Sequence, residues 1–203
     1  MTNKIILELF KGTGSVGKVF KKKGWKVISV DNVEKFKPSI LADILKWDYK
    51  NIPTPDFIWA SPPCNTFSNL SFSTHQRDAK TMKPNTENAR LGDAILRKTI
   101  SIINYWRKRN PKLKFVMENP HGTMYRSPYM KSLKPYTTAQ TLYGLYGDKR
   151  LKRTDFFNNF NLKLKEPIIP KDRSKFVGVV DLPLCDRYKI PPLLIKDIYN
   201  QLI

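Results

Sequence analysis

Cysteine is scarce in this chain. Only Cys64 and Cys185 occur among 203 residues, so no disulfide framework braces the fold. There are also only two histidines, and no Cys/His pair has the spacing of a structural zinc site, so no metal ligands are expected. Free cysteines of this kind suit a reducing, intracellular compartment. Long apolar runs are missing too. Nothing approaches the roughly 20 residues of a membrane span, and the opening MTNKIILELF lacks a secretory pattern and leads straight into an apolar strand. Acidic residues are few, 17 against 37 Lys and Arg, which leaves a formal net charge of +20. Such a field draws polyanions, nucleic acid first and an anionic membrane surface second, although lysines that are merely solvated would give the same count. There is no repeat and no low-complexity linker. With 40% hydrophobic and 12% aromatic residues, the composition is that of a folded chain rather than a disordered one. The length suits a single domain over 1–203.

What is present alternates strand with helix, the pattern of a mostly parallel sheet. KIILELF, WKVISVD, ILADI and DFIWA read as four strands, the third of them weak, and KLKFVMENP as the fifth. The turn GTGSVGKVFKKKG opens a short helix. The stretch NARLGDAILRKTISIINYWRKR is the longest helical pattern, with Leu91, Ile95, Ile102 and Trp106 as its apolar stripe. QTLYGLYG and RTDFFNN form a further strand pair, and IPPLLIKDIYNQLI closes the chain as a helix. Between DFIWA and the long helix lies a polar stretch, Asn65 to Thr86, with few apolar anchors; a loop of that length is expected to be functional.

Three motifs carry chemistry. Gly12-Thr13-Gly14-Ser15-Val16-Gly17 follows a strand and opens a helix, with Asp31 closing the next strand. Glycines let the backbone turn tightly against a ligand, and the acid can hold ribose hydroxyls. A dinucleotide and S-adenosylmethionine both fit that geometry. In ASPPCNTFS, Pro62-Pro63 makes a rigid corner that sets Cys64 just past a strand end, where open α/β sheets keep reactive groups. FVMENP puts Glu118 and Asn119 at the end of the fifth strand.

Taken together and in this order, the motifs resemble the DNA (cytosine-5-)-methyltransferase family, in particular its small phage- or virus-type members. The resemblance covers Leu7 to Asp43, Phe57 to Ser68 and Phe115 to Pro120, and more weakly the last third. Pro-Pro-Cys is its most specific part, since amino-group methyltransferases have an aromatic residue where Cys64 stands. The resemblance implies a class I S-adenosylmethionine-dependent methyltransferase (Rossmann-like) α/β fold, a mostly parallel twisted sheet with helices on both faces. It implies S-adenosylmethionine as cofactor, S-adenosylhomocysteine as product, and DNA as partner. Phe10, Gly12, Thr13, Gly14 and Pro62 would line the donor site, Asp31 with Asn32 would hold its ribose, and Asp43 would meet its adenine. Cys64 would be the nucleophile, Glu118 the acid and Lys152 the base-contacting cation. Ser68, Ser71, Ser73, His75, Arg77, Arg150 and Arg153 would touch nucleic acid, with the 65–86 loop closing over a flipped base. The chemistry accounts for the residue types. A thiolate adding at cytosine C6 makes C5 nucleophilic, and an acid near N3 offsets the charge that develops there.

The chain also departs from the family pattern. Asn65 follows the cysteine where Gln is usual, Pro120 follows Glu-Asn where Val is usual, and YGDKRLKRTDFF offers Lys152 in place of an arginine. Between Asn158 and Arg187 there is room for a vestigial loop or hairpin and not for a target-recognition domain. Methylation in a short context or a separate specificity partner would fit that loss. Nothing in the reading requires more than a monomer. The same reaction on RNA, as in relatives that methylate transfer RNA, remains open, as does a non-catalytic nucleic-acid-binding protein of the same fold. A dinucleotide oxidoreductase would leave Pro-Pro-Cys and the basic charge without a role.

Overall fold

The strands read from the sequence join into a single sheet. In the computed structural model, which describes residues 4–68, 74–178 and 182–202, the chain runs β1 (Ile5–Leu9), α1 (Ser15–Lys22), β2 (Lys26–Asp31), β3 (Ile40–Leu41), β4 (Phe57–Ala60), α2 (Glu87–Arg109), β5 (Lys114–Pro120), β6 (Thr137–Leu142), β7 (Arg153–Asn158), α3 (Leu184–Arg187) and α4 (Pro192–Asn200). The order across the sheet is β3-β2-β1-β4-β5-β7-β6. Strands β1 to β5 pair in parallel, while β7 runs antiparallel to both β5 and β6.

Strand β1 has β2 on one side and β4 on the other, so the chain reverses its direction of winding between β1 and β4. The crevice at the carboxyl ends of those two strands is where this architecture places a ligand. The register brings three motifs to that edge. Leu9 lies opposite Ala60, and Ala60 opposite Met117, so the glycine turn, Pro62-Pro63-Cys64 and Glu118 leave the sheet side by side. Pairing of Pro120 with Thr154 then brings Lys152, at the entry of β7, to the end of β5.

Alternation along the central strands buries both faces, as a parallel sheet requires. Leu7, Ile58, Phe115, Met117 and Phe157 pack under α2. Ile6, Phe57, Trp59, Val116 and Phe156 pack under α1 and α4, where Phe20 stacks on Phe57 with ring centroids 5.3 Å apart. Helix α2 is capped by Thr86, whose Oγ1 accepts the Ala89 N–H at 3.1 Å, and ends in Arg107, Lys108 and Arg109, cations that suit a helix C-terminus.

Three expectations are corrected. Leu91 is 49% exposed: the buried face of α2 runs through Ala89, Gly92, Leu96, Ile103 and Trp106, and Leu91 stands one residue, about 100°, off it. The third strand stops at Leu41, because Asp43 Oδ1 accepts the Leu45 N–H at 2.9 Å and turns the chain. The 65–86 stretch is anchored and not bare, since Thr66, Phe67, Arg77 and Met82 are buried. Between Asn158 and Arg187, where a loop or hairpin was open, the described residues before α3 follow a loop. These described residues form no strand, bury Leu162, and include a parallel bridge from Val177 to Arg150.

Candidate active site

Strand β1 runs directly into the glycine turn, and Asp31 at the end of β2 fixes that turn in place. Asp31 Oδ2 accepts the Gly12 N–H at 2.8 Å, and its Oδ1 accepts the Val33 N–H at 2.9 Å. Phe10 and Gly12 take left-handed φ angles of 60° and 50°, which fold the backbone over the end of the sheet. Below the turn lies Glu8, 2% exposed within β1. A Cβ on Gly17 would stand 2.6 Å from Glu8 Oε2, so only glycine in α1 leaves room for this carboxyl. Burial pushes Glu8 up to about 7, with the Gly17 amide, Lys11 and the Val16 amide pulling back part of the way. Its Oε2 has no hydrogen-bond partner among the described residues.

Pro62 and Pro63 carry the chain out of β4, and Asn119 Nδ2 donates to the Pro62 carbonyl at 3.0 Å, locking this corner to β5. The Cys64 carbonyl accepts the N–H groups of Phe67 and Ser68, both at 2.9 Å, so a tight turn holds Cys64 half-buried at its head. Burial pushes the Cys64 thiol up, Lys152 pulls it down, and Glu118 adds to the rise. Glu118 is 5% exposed. Its Oε1 accepts the Tyr143 hydroxyl at 3.1 Å and lies 3.6 Å from Lys152 Nζ. Burial and the neighbouring Glu118 hold the Tyr143 phenol well above its usual range, so it stays a donor.

One cavity of about 240 Å³ joins these parts: Phe10, Gly12, Asp31, Asn32 and Pro62 line it together with Cys64, Glu118 and Lys152. Thr13 instead lines the adjoining groove beside Lys18, Lys22 and Lys196, and Gly14 lies outside the cavity as the cap of α1. Asp43, turned onto Leu45, does not line it. His75 is exposed with a φ of 49°, and Arg153 is exposed and donates to Gln140 Oε1 at 2.8 Å. Ser68 pairs with Gly122. Ser71 and Ser73 lie outside the described residues.

Two expected nucleic-acid contacts are corrected. Arg77 is 4% exposed. It pairs with Asp93 at 2.8 Å, donates to Thr66 and to the Ala89 carbonyl, and stacks over Phe67. Arg150 is 2% exposed. It pairs with Asp148 and donates to the carbonyls of Asp186, Arg187 and Lys189. Buried and bonded on all sides, neither guanidinium can reach a phosphate.

Sequence reasoning passed over Glu8, Tyr143 and Tyr188. An acid inside the apolar run IILELF signalled the first, and the doubled tyrosine of YGLYG the second. Nothing local marked Tyr188, which reaches the cavity from the return segment after α3.

A protein of Frog virus 3 (isolate Goorha), named as a DNA (cytosine-5)-methyltransferase, is 35% identical to this chain over 153 residues, which cover 73% of the chain and 68% of that protein. The chain belongs to the DNA (cytosine-5)-methyltransferase family. A Methanocaldococcus jannaschii protein named as a type II methyltransferase is 28% identical over 207 residues, covering 86% of the chain and 59% of that protein. Among solved structures, the Entamoeba histolytica methyltransferase EhMeth superposes with a TM-score of 0.52 at 15% identity, covering 89% of this chain and 60% of that one. The S. pombe Dnmt2 methyltransferase does so with a TM-score of 0.50 at 12% identity, covering 88% of this chain and 60% of that one. No family model matches the chain. The chain spans only about three fifths of these solved proteins, which share with it the class I methyltransferase fold.

Fold and family imply S-adenosylmethionine as cofactor, and the residues present suit it. Asp31 offers a carboxylate at the cavity for ribose hydroxyls. The orphaned Oε2 of Glu8 offers an acceptor for an amino group. Phe10 presents an apolar wall. Among the described residues no cluster could hold a metal ion, and no helix is long and apolar enough to cross a membrane.

Proposed function

We propose that this chain methylates C5 of cytosine in DNA through a covalent adduct between Cys64 and C6. The observation that carries the reading is the shared cavity of Cys64, Glu118, Lys152 and Asp31. The Cys64 thiol passes its proton to the Glu118 carboxylate across the shared cavity, and the thiolate adds to C6, breaking the ring's aromaticity. Lys152 and Glu118 face the N3 and O2 side of the ring, where negative charge collects. The carboxyl donates to N3, while Tyr143 and Lys152 hold it in place. Bound S-adenosylmethionine supplies an electrophilic methyl group on a sulfonium. C5, made electron-rich by the adduct, takes that methyl; water then takes the C5 proton, N3 returns its proton to Glu118, the C6–S bond breaks and the thiolate departs. The corner fixed by Pro62, Pro63 and Asn119 keeps the sulfur from swinging away between these steps. The target base has to leave its stack to reach a cavity of this shape.

The excess of cations supports a polyanionic substrate, for which lysine contacts to phosphate give affinity without sequence information. The test is transfer of labelled methyl from S-adenosylmethionine to DNA and to RNA in one competition, with Cys64→Ala as control. Label in DNA that disappears with the variant supports the reading. Equal transfer by Cys64→Ala removes the mechanism, and preference for RNA replaces the substrate. An oligonucleotide carrying 5-fluorocytosine should stay covalently bound, because fluorine cannot leave as the C5 proton does.

A further inference from the structure

We propose that His121, Gln140 and Arg153 form a shelf that reads the nucleobase beside the target cytosine. This rests on the functional reading above and adds to it a source of sequence context.

Position is the first support. His121 follows Pro120 and Arg153 follows Lys152, and both of those predecessors line the cavity. The His121 N–H donates to the Arg153 carbonyl at 2.9 Å, so the shelf begins one residue beyond the cavity wall on two strands at once. The neighbouring nucleotide is joined to the flipped one by a single phosphodiester link, and the shelf adjoins the wall of the cavity that the flipped base would enter. A base neighbouring the one in the cavity therefore falls within reach. Gly122, the next residue, pairs with Ser68 and ties the shelf to the turn that carries Cys64.

Orientation is the second. Asp155, 3% exposed, lies 3.0 and 3.2 Å through its two oxygens from His121 Nδ1. That contact sets the ring and turns Nε2 outward, with no partner among the described residues. Gln140 Oε1 accepts from Arg153 Nη2 at 2.8 Å, and Gln140 Nε2 lies 3.4 Å from His121 Nδ1. Burial raises the Asp155 carboxyl, and the hydrogen bond from His121 works against that rise. A desolvated carboxylate spent on aiming a part-exposed imidazole costs stability, which is explained if the ring meets a ligand.

Chemistry is the third. A guanidinium fork, a side-chain amide and an imidazole nitrogen supply the donors and acceptors that match base edges, whereas the lysines elsewhere are suited to phosphate. The described part of the short segment after Asn158 forms no hairpin, which leaves the sheet edge as the rigid surface nearest the cavity.

The experiment uses a pool of duplexes with one cytosine in randomised flanks, methylated by the full chain and read by bisulfite sequencing. The unmodified protein is expected to prefer particular bases at one flanking position. Arg153→Ala and His121→Ala should each flatten that position by about tenfold or more, with the other positions unchanged and the thermal shift induced by S-adenosylhomocysteine retained. Arg153→Lys keeps the charge but loses the fork, and should flatten it as well. Loss spread evenly over all contexts with the preference intact overturns the shelf, as does an unmodified protein with no flanking preference. Failure of the functional reading looks different: no modified cytosine in any context and no 5-fluorocytosine adduct from the unmodified protein, which takes the shelf with it.

Discussion

Neutralising Lys152 and neutralising Glu118 should move the Cys64 thiol in opposite directions. Burial sets the thiol high, Lys152 lowers it and Glu118 raises it. Lys152→Gln leaves the carboxylate without the cation, so thiolate becomes scarcer below the thiol's titration. Glu118→Gln removes the like charge and also releases an ammonium that lies 3.6 Å from Oε1. All three side chains line one cavity, which puts the charges within about 10 Å of one another. At an effective dielectric constant of about 20, a pair at that separation interacts by about 1.7 kcal/mol, about 18-fold in thiolate population. Water in the open cavity reduces this to about five- to tenfold. The assay is the rate of iodoacetamide alkylation between about pH 6 and about pH 9, read by peptide mass so that Cys64 is separated from Cys185. Near neutral pH, Lys152→Gln should react more slowly and Glu118→Gln faster, with the curves converging at alkaline pH. Methyl transfer should fall in both, so that in Glu118→Gln a more reactive thiol accompanies a slower enzyme. Shifts in the same direction, or shifts under about twofold in both, would refute the reasoning.

Three further outcomes are expected. Arg77→Ala leaves Asp93 buried without its cation and should cost about 3–5 kcal/mol of stability, measured by urea unfolding, while DNA affinity of the folded protein is unchanged. Burial raises Glu8 from 4.5 to about 7. The folded value lies above the unfolded one, so its stabilising contribution is complete below about 4.5 and is lost as pH rises to about 7. Glu8→Gln should therefore be more stable than the unmodified protein at about pH 8, by up to about 3 kcal/mol, and no more stable below about pH 4.5. In Gly122→Ala the new Cβ would meet the Phe67 carbonyl at 2.3 Å and break the bridge to Ser68. Methyl transfer should drop by about tenfold or more while the thermal shift induced by S-adenosylhomocysteine persists.

The central strands were legible because each is a short apolar run between turn residues, and that pattern survives without any tertiary information. Asp31, Cys64 and Glu118 were legible because each directly follows or ends such a run, where the sheet itself delivers it to one edge. Charge alone was a poorer guide. Arg77 and Arg150 read as free cations among many, yet each is enclosed by carbonyls and a carboxylate from residues up to 39 positions away. Tyr188 comes to the cavity from a segment of no regular structure, and no local rule places such a segment. Leu91 shows how narrow the helical signal is: one residue of phase separates a core position from an exposed one.

The enclosure of Arg150 has a mechanical consequence. Its guanidinium binds the carbonyls of Asp186, Arg187 and Lys189, which flank Tyr188, a residue in the wall of the donor half of the cavity. Two residues further along the chain, Lys152 stands in the acceptor half. A displacement of the return segment when the donor docks would thus be relayed, through one rigid planar group, to the cation meant to face the pyrimidine. Tyr188 and Lys152, 36 positions apart in the chain, are thereby tied to one buried guanidinium.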